Sequence, residues 1–117
     1  MALGVTLIAG PSAIGPGMKQ AIYTGAMTGT YSTGGEAIDL TGEFTYVYAI
    51  TFAGNDTSAD NAYVFNALLP AAGTACTSSN TLIQVFLGGT TDAILEEEGN
   101  ATNLTAIGDM KIVVFGV

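Results

Sequence analysis

The 117-residue sequence predicts an all-β domain, an antiparallel β-sandwich or barrel with an extended N-terminal arm. Apolar residues do not recur at the three-and-four spacing of a helix, and glycine and threonine, both poor helix formers, return every few residues. In residues 44–52, Phe44, Tyr46, Tyr48, Ile50 and Phe52 fall on one side of an extended chain, and Thr45, Val47, Ala49 and Thr51 on the other. A period of two with the bulk on one face marks a strand packed on a core. Strand candidates then return at intervals of roughly ten to eighteen residues with turn-rich pieces between them, as in sandwiches and barrels.

Taken in order, the elements begin with residues 1–17, an uncharged stretch in which prolines at 11 and 16 and glycines at 10, 15 and 17 favour open conformations. Val5, Leu7, Ile8 and Ile14 are its apolar anchors, and they are the candidate assembly residues. The stretch reads either as a clamp on a neighbouring subunit or as an ordinary first strand. Strands are expected at 19–29, 44–52, 62–69, 81–88, 92–98 and 110–117. Turn-rich pieces separate them at 30–35, 53–60, 70–80, 88–89 and 99–103. No repeat or linker divides the chain, so residues 1–117 form one domain.

Composition narrows the function. Hydrophobic residues make up 49% and charged residues only 10%, and the mean hydropathy is +0.47. A domain of this size leaves roughly a third of its unfolded surface in contact with water. With so few charges, much of that surface is apolar or neutral and favours association with other chains. Ten acids face two bases, Lys19 and Lys111, giving a net charge of −8 with no histidine. That balance argues against nucleic acid and against an anionic membrane surface, both of which need cations. Gly4, Gly10, Pro11, Gly15, Pro16 and Gly17 keep the N-terminal stretch well short of the ~18 apolar residues of a spanning helix. No positive charge precedes it as in a secretion signal. The single cysteine, Cys76, fits a reducing compartment and a small buried side chain.

Four segments invite a chemical reading, and each has a plainer one. Residues 5–19, VTLIAGPSAIGPGMK, carry Gly10 and Gly15 at the spacing of a phosphate-binding loop. Pro16, which has no N–H, stands where that loop needs lysine, and no helix is expected to follow. Glu96, Glu97 and Glu98 offer carboxylates, yet a glycosidase needs two of them flanking a sugar in a cleft. An acidic strand edge that discourages aggregation is the plainer reading. Residues 55–61 place oxygens at alternate positions like a calcium loop, but Asn61 replaces its glycine and Ala67 its bidentate glutamate. Sequons at Asn55, Asn100 and Asn103 fit β-turn composition. Without histidine there is no Ser-His or Cys-His pair. No enzyme, metal site or cofactor is therefore expected.

The segment Tyr31-Ser32-Thr33-Gly34-Gly35-Glu36-Ala37-Ile38-Asp39-Leu40 is similar to one found in small structural proteins of tailed bacteriophages and cyanophages. The order that follows in those proteins is matched here by Tyr46 to Phe52, Tyr63-Val64-Phe65, Leu82 to Leu87, Thr102-Asn103-Leu104 and Val113 to Gly116. The resemblance covers roughly residues 22–117 and is specific in the GGE-A-hydrophobic-D-L segment. It implies a virion structural protein made in the host cytoplasm, such as a head decoration (cement) protein. Such a protein sits on the capsid surface, commonly as a homotrimer, and bridges capsomers through the major capsid protein. In this reading the Gly34-Gly35 turn, with Glu36, Ile38 and Leu40, braces the sheet. The alternative is a tail or fibre component that binds a receptor through exposed aromatics such as Tyr23, Tyr31 and Tyr63.

Overall fold

A computed structural model of the chain describes residues 3–27, 29–55, 63–88, 95–97 and 109–117. It is all-β, with two antiparallel sheets in the manner of a sandwich. The first sheet has the order β1-β2-β8-β4, formed by β1 (Leu3–Gly15), β2 (Met18–Met27), β8 (Asp109–Gly116) and β4 (Val47–Asn55). In the second, β6 (Leu82–Gly88) is flanked on one side by β5 (Tyr63–Leu68). Its other side is shared by two short strands, β3 (Glu36–Ala37) against Leu82 and Ile83, and β7 (Leu95–Glu97) against Phe86 to Gly88.

Alternation builds the core. Ala21, Tyr23 and Met27 of β2, Met110, Ile112 and Val114 of β8, and Ile83 and Val85 of β6 all point inward and are buried. Leu3, Tyr31, Ile38, Leu40, Phe44 and Cys76 complete it. The connection from β3 to β4 is bonded into the structure: Ile38 N–H donates to the Thr81 carbonyl, Leu40 N–H to that of Cys76, and Phe44 N–H to that of Leu40. Cys76 is a free, buried thiol, as its size suggests.

The expected strands at 19–29, 62–69, 81–88 and 110–117 coincide closely with β2, β5, β6 and β8. Of the expected strand 92–98, residues 95–97 form β7, and the rest lies outside the described residues, as does the turn at 99–103. The strand expected at 44–52 is displaced to Val47–Asn55, and its single bulky face is broken. Val47 pairs with Gly116 but Ala49 with Phe115, so Tyr48 is an extra residue opposite one partner. Such a bulge flips the inward face from one parity to the other. Phe44 is buried, Ile50 and Phe52 are half-buried, and Tyr46 and Tyr48 turn outward.

Residues 3–15 form a strand hydrogen-bonded to β2 along its length, from Leu3 opposite Met27 to Gly15 opposite Met18. Register shifts interrupt the pairing between Leu7 and Ala9, between Ala9 and Ser12, and between Ala13 and Gly15. The segment with phosphate-loop spacing is thus strand, turn and strand.

Candidate functional site

Two surfaces distinguish themselves by what they lack, which is charge. On the first, β1, none of the thirteen residues is ionisable. Leu3 is buried and Val5 is half-buried against the core, while Leu7 is 37%, Ile8 52% and Ile14 48% exposed. Of the four candidate assembly residues, Val5 is therefore an anchor within the chain, and Leu7, Ile8 and Ile14 face outward.

The second surface is a groove of about 670 Å³ between β4 and β5, lined by Tyr48 to Phe52 on one side and Tyr63 to Ala67 on the other. These strands end their respective sheets, and among the described residues neither has a second hydrogen-bonded neighbour. They touch through Phe52 and Phe65, whose rings lie 5.4 Å apart at 38°. Both rings are only half-buried, so the core is thinly covered here. A hollow bounded by Tyr46, Tyr48, Leu69, Pro70 and Gly73 continues the groove. No acidic or basic residue occurs in β4 or β5, and Tyr48 at 55% and Val64 at 48% are the most exposed large hydrophobic side chains of the groove. The sequence alone does not announce this groove, because it depends on two strands lying side by side without pairing.

The YSTGGE segment is a built turn. Gly35 N–H donates to the Ser32 carbonyl at 3.0 Å, and Ser32 N–H donates to Glu36 Oε1 at 2.6 Å. Glu97 Oε2 accepts from Gly34 N–H at 2.6 Å and from the Tyr31 hydroxyl at 2.7 Å. The Tyr31 hydroxyl in turn accepts from Val85 N–H at 3.2 Å, on the edge of β6 shared by β3 and β7. Gly34 and Gly35 sit at φ +101° and +121°, which side-chain-bearing residues rarely adopt. A Cβ on Gly35 would also come within 2.9 Å of Leu82 Cβ.

The turn thus braces the second sheet, as Gly34, Gly35 and Glu36 suggest. Glu97 is the addition: it is no mere solvated edge but the carboxylate that holds the turn. Among the acids of the run, position alone does not distinguish it. Its two partners lie 63 and 66 residues away in sequence.

Two tyrosines offered for receptor contact are buried. Tyr31 is 1% exposed, and burial, reinforced by its hydrogen bond to Glu97, drives its hydroxyl well above the ordinary phenol range. Tyr23 is 4% exposed and donates to Glu43 Oε2 at 3.2 Å; burial first, then the Glu43 charge, raises it likewise. Only Tyr63 of the three reaches the groove. Asp39, on the surface, accepts from the Thr41 hydroxyl and N–H, which hold its carboxyl below the usual range.

Both bases are engaged: Lys19 Nζ lies 5.4 Å from the centre of the Phe44 ring, and Lys111 Nζ donates to Thr24 Oγ1 at 3.2 Å. Among the described residues, no three Cys, Asp or Glu side chains gather as metal ligands. The residues of the calcium-like loop beyond Asn55, and the sequons at Asn100 and Asn103, lie outside the described residues. Glu36 and Glu97 bond the turn, and neither lines the groove.

Fold and surfaces together define an antiparallel β-sandwich whose outer strands β1, β4 and β5 carry no acidic or basic residue, with a braced glycine turn. No family model, curated protein or solved structure matches the chain.

Proposed function

We propose that this chain is a structural protein of a tailed-phage virion, a decoration subunit that binds the outside of the head and stabilises it by bridging capsomers. The observation that carries this reading is the segregation of charge. Leu7, Ile8 and Ile14 on β1, and Tyr48 and Val64 on the groove rim, are exposed on strands with no acidic or basic residue. The chain as a whole carries −8. Apolar, neutral strand edges are contact surfaces, and the acidic remainder keeps free subunits soluble and off DNA. The resemblance of the YSTGGEAIDL segment to phage structural proteins agrees with this division of labour.

In this reading the protein acts through added interface area and without catalysis. Its partners are further copies of itself, as a homotrimer, and the major capsid protein. It is made in the host cytoplasm and ends on the capsid surface. The test is reconstitution: purified protein is added to heads assembled without it, which are then heated while DNA release is followed. The proposal expects saturable binding and release at a higher temperature. Heads that neither bind the protein nor gain stability from it would refute the proposal.

A further inference from the structure

The first sheet has two unequal ends, and their chemistry matches. β1 closes one end and β4 the other. We propose that the outer edge of β1 in one copy pairs, in the next, with the edge of β4 that has no partner strand among the described residues. This head-to-tail contact continues the sheet across subunits and roofs the groove between β4 and β5. It deepens the assembly reading above and rests on it.

Three observations select a second copy of this chain as the occupant. The first is electrostatic. Copies of a chain with net charge −8 repel wherever their acids meet, so self-association requires surfaces free of them. β1, β4 and β5 are such surfaces. The second is the backbone. Residues 3–7 of β1 run in continuous register before the shifts that begin between Leu7 and Ala9, and they are the ladder to set against β4. β4 carries neither proline nor charge, and between its register shifts at Val47/Ala49 and Phe52/Gly54 the residues 49–52 run in continuous register. The third is the core. A strand added beyond β4 lies beside β5 and covers Phe52 and Phe65, the half-buried end of the hydrophobic cluster.

Because donor and acceptor are opposite ends of one sheet, each copy can offer both at once. Contacts of that kind build a ring where the rotation between copies closes and an open filament where it does not, and main-chain pairing of this type is strand augmentation.

Complementation separates this geometry from any symmetric one. Ile8→Asp removes the donor and leaves the acceptor intact, whereas Tyr48→Asp does the reverse. Both side chains are more than half exposed, and circular dichroism verifies that each variant folds. In sedimentation at micromolar concentration, the wild type is oligomeric and each variant alone is monomeric. An equimolar mixture forms a heterodimer through the one intact pair of surfaces. The lysine versions, Ile8→Lys and Tyr48→Lys, behave in the same way, which separates loss of the contact from added acid repulsion.

The proposal is overturned by a monomeric wild type, by a variant that still assembles alone, or by a mixture that stays monomeric. A monomeric wild type leaves the virion assignment standing, because that assignment is read on heads rather than on free protein.

Discussion

Removing one oxygen from Tyr31 tests whether the glycine turn is held as described. In Tyr31→Phe, Val85 N–H loses its acceptor at a buried position, and Glu97 loses the hydroxyl bonded to it at 2.7 Å. An unpaired buried donor costs about 1–3 kcal/mol, and a hydrogen bond to a charged group contributes about 1.5–3 kcal/mol. The two losses share one atom and overlap, so the expected destabilisation is about 2–4 kcal/mol. Unfolding entropy of about 2.1 cal/mol/K per residue over 117 residues converts each kcal/mol into about 4 °C. Tyr31→Phe should therefore melt about 8–16 °C lower, followed by circular dichroism at one fixed protein concentration. Tyr23→Phe is the control, because its hydroxyl makes one longer bond, to Glu43 at 3.2 Å. A hydrogen bond to a charged group contributes about 1.5–3 kcal/mol, and at this length the low end, about 6 °C, is expected. If Tyr31→Phe melts no lower than Tyr23→Phe, the network around Glu97 does not hold the turn.

The two glycines of the turn should respond unequally. Gly34→Ala meets open space and incurs only the strain of its φ, about 1–3 kcal/mol, whereas Gly35→Ala adds a collision with Leu82 and should lower the melting temperature further. Equal effects would contradict the close approach of Gly35 to β6. Alkali should unfold the protein through Tyr23 and Tyr31, whose folded-state pKa values lie above the ordinary phenol value of about 10. Their contribution is complete below about pH 10 and is lost as pH rises through the folded values. Phenolate absorbance should thus stay incomplete until the β-sheet signal collapses, and full titration in the folded state would refute the burial argument. Calcium, chelators and ATP should leave the melting temperature unchanged, because neither the phosphate-like nor the calcium-like segment completes its motif. A rise of several degrees with either ligand would show that one of them was misjudged.

The strands legible in the sequence are those whose alternation is local and uninterrupted, β2, β5, β6 and β8. β4 was legible as a strand but not in its facing, because the extra residue at Tyr48 reverses the parity and leaves no mark in composition. β3 is two residues long and depends on β6, more than forty residues away in sequence, so no periodicity reveals it. The outward apolar residues of β1 could be read from sequence because a charge-free stretch with Leu7, Ile8 and Ile14 is conspicuous in any register. The groove could not, since it is created by β4 and β5 meeting without hydrogen bonds. Nor could the fate of Tyr23 and Tyr31, whose hydroxyls point inward only because Glu43 and Glu97 arrive there from distant segments.

The central claim, a decoration subunit on a phage head, is tested most directly by cryo-electron microscopy of intact particles. The account predicts this two-sheet fold on the outer face of the shell, in copies related by head symmetry, with the β1 edge and the β4–β5 groove buried in contacts. Particles whose heads lack this density, or that carry it only on the tail, would contradict the claim.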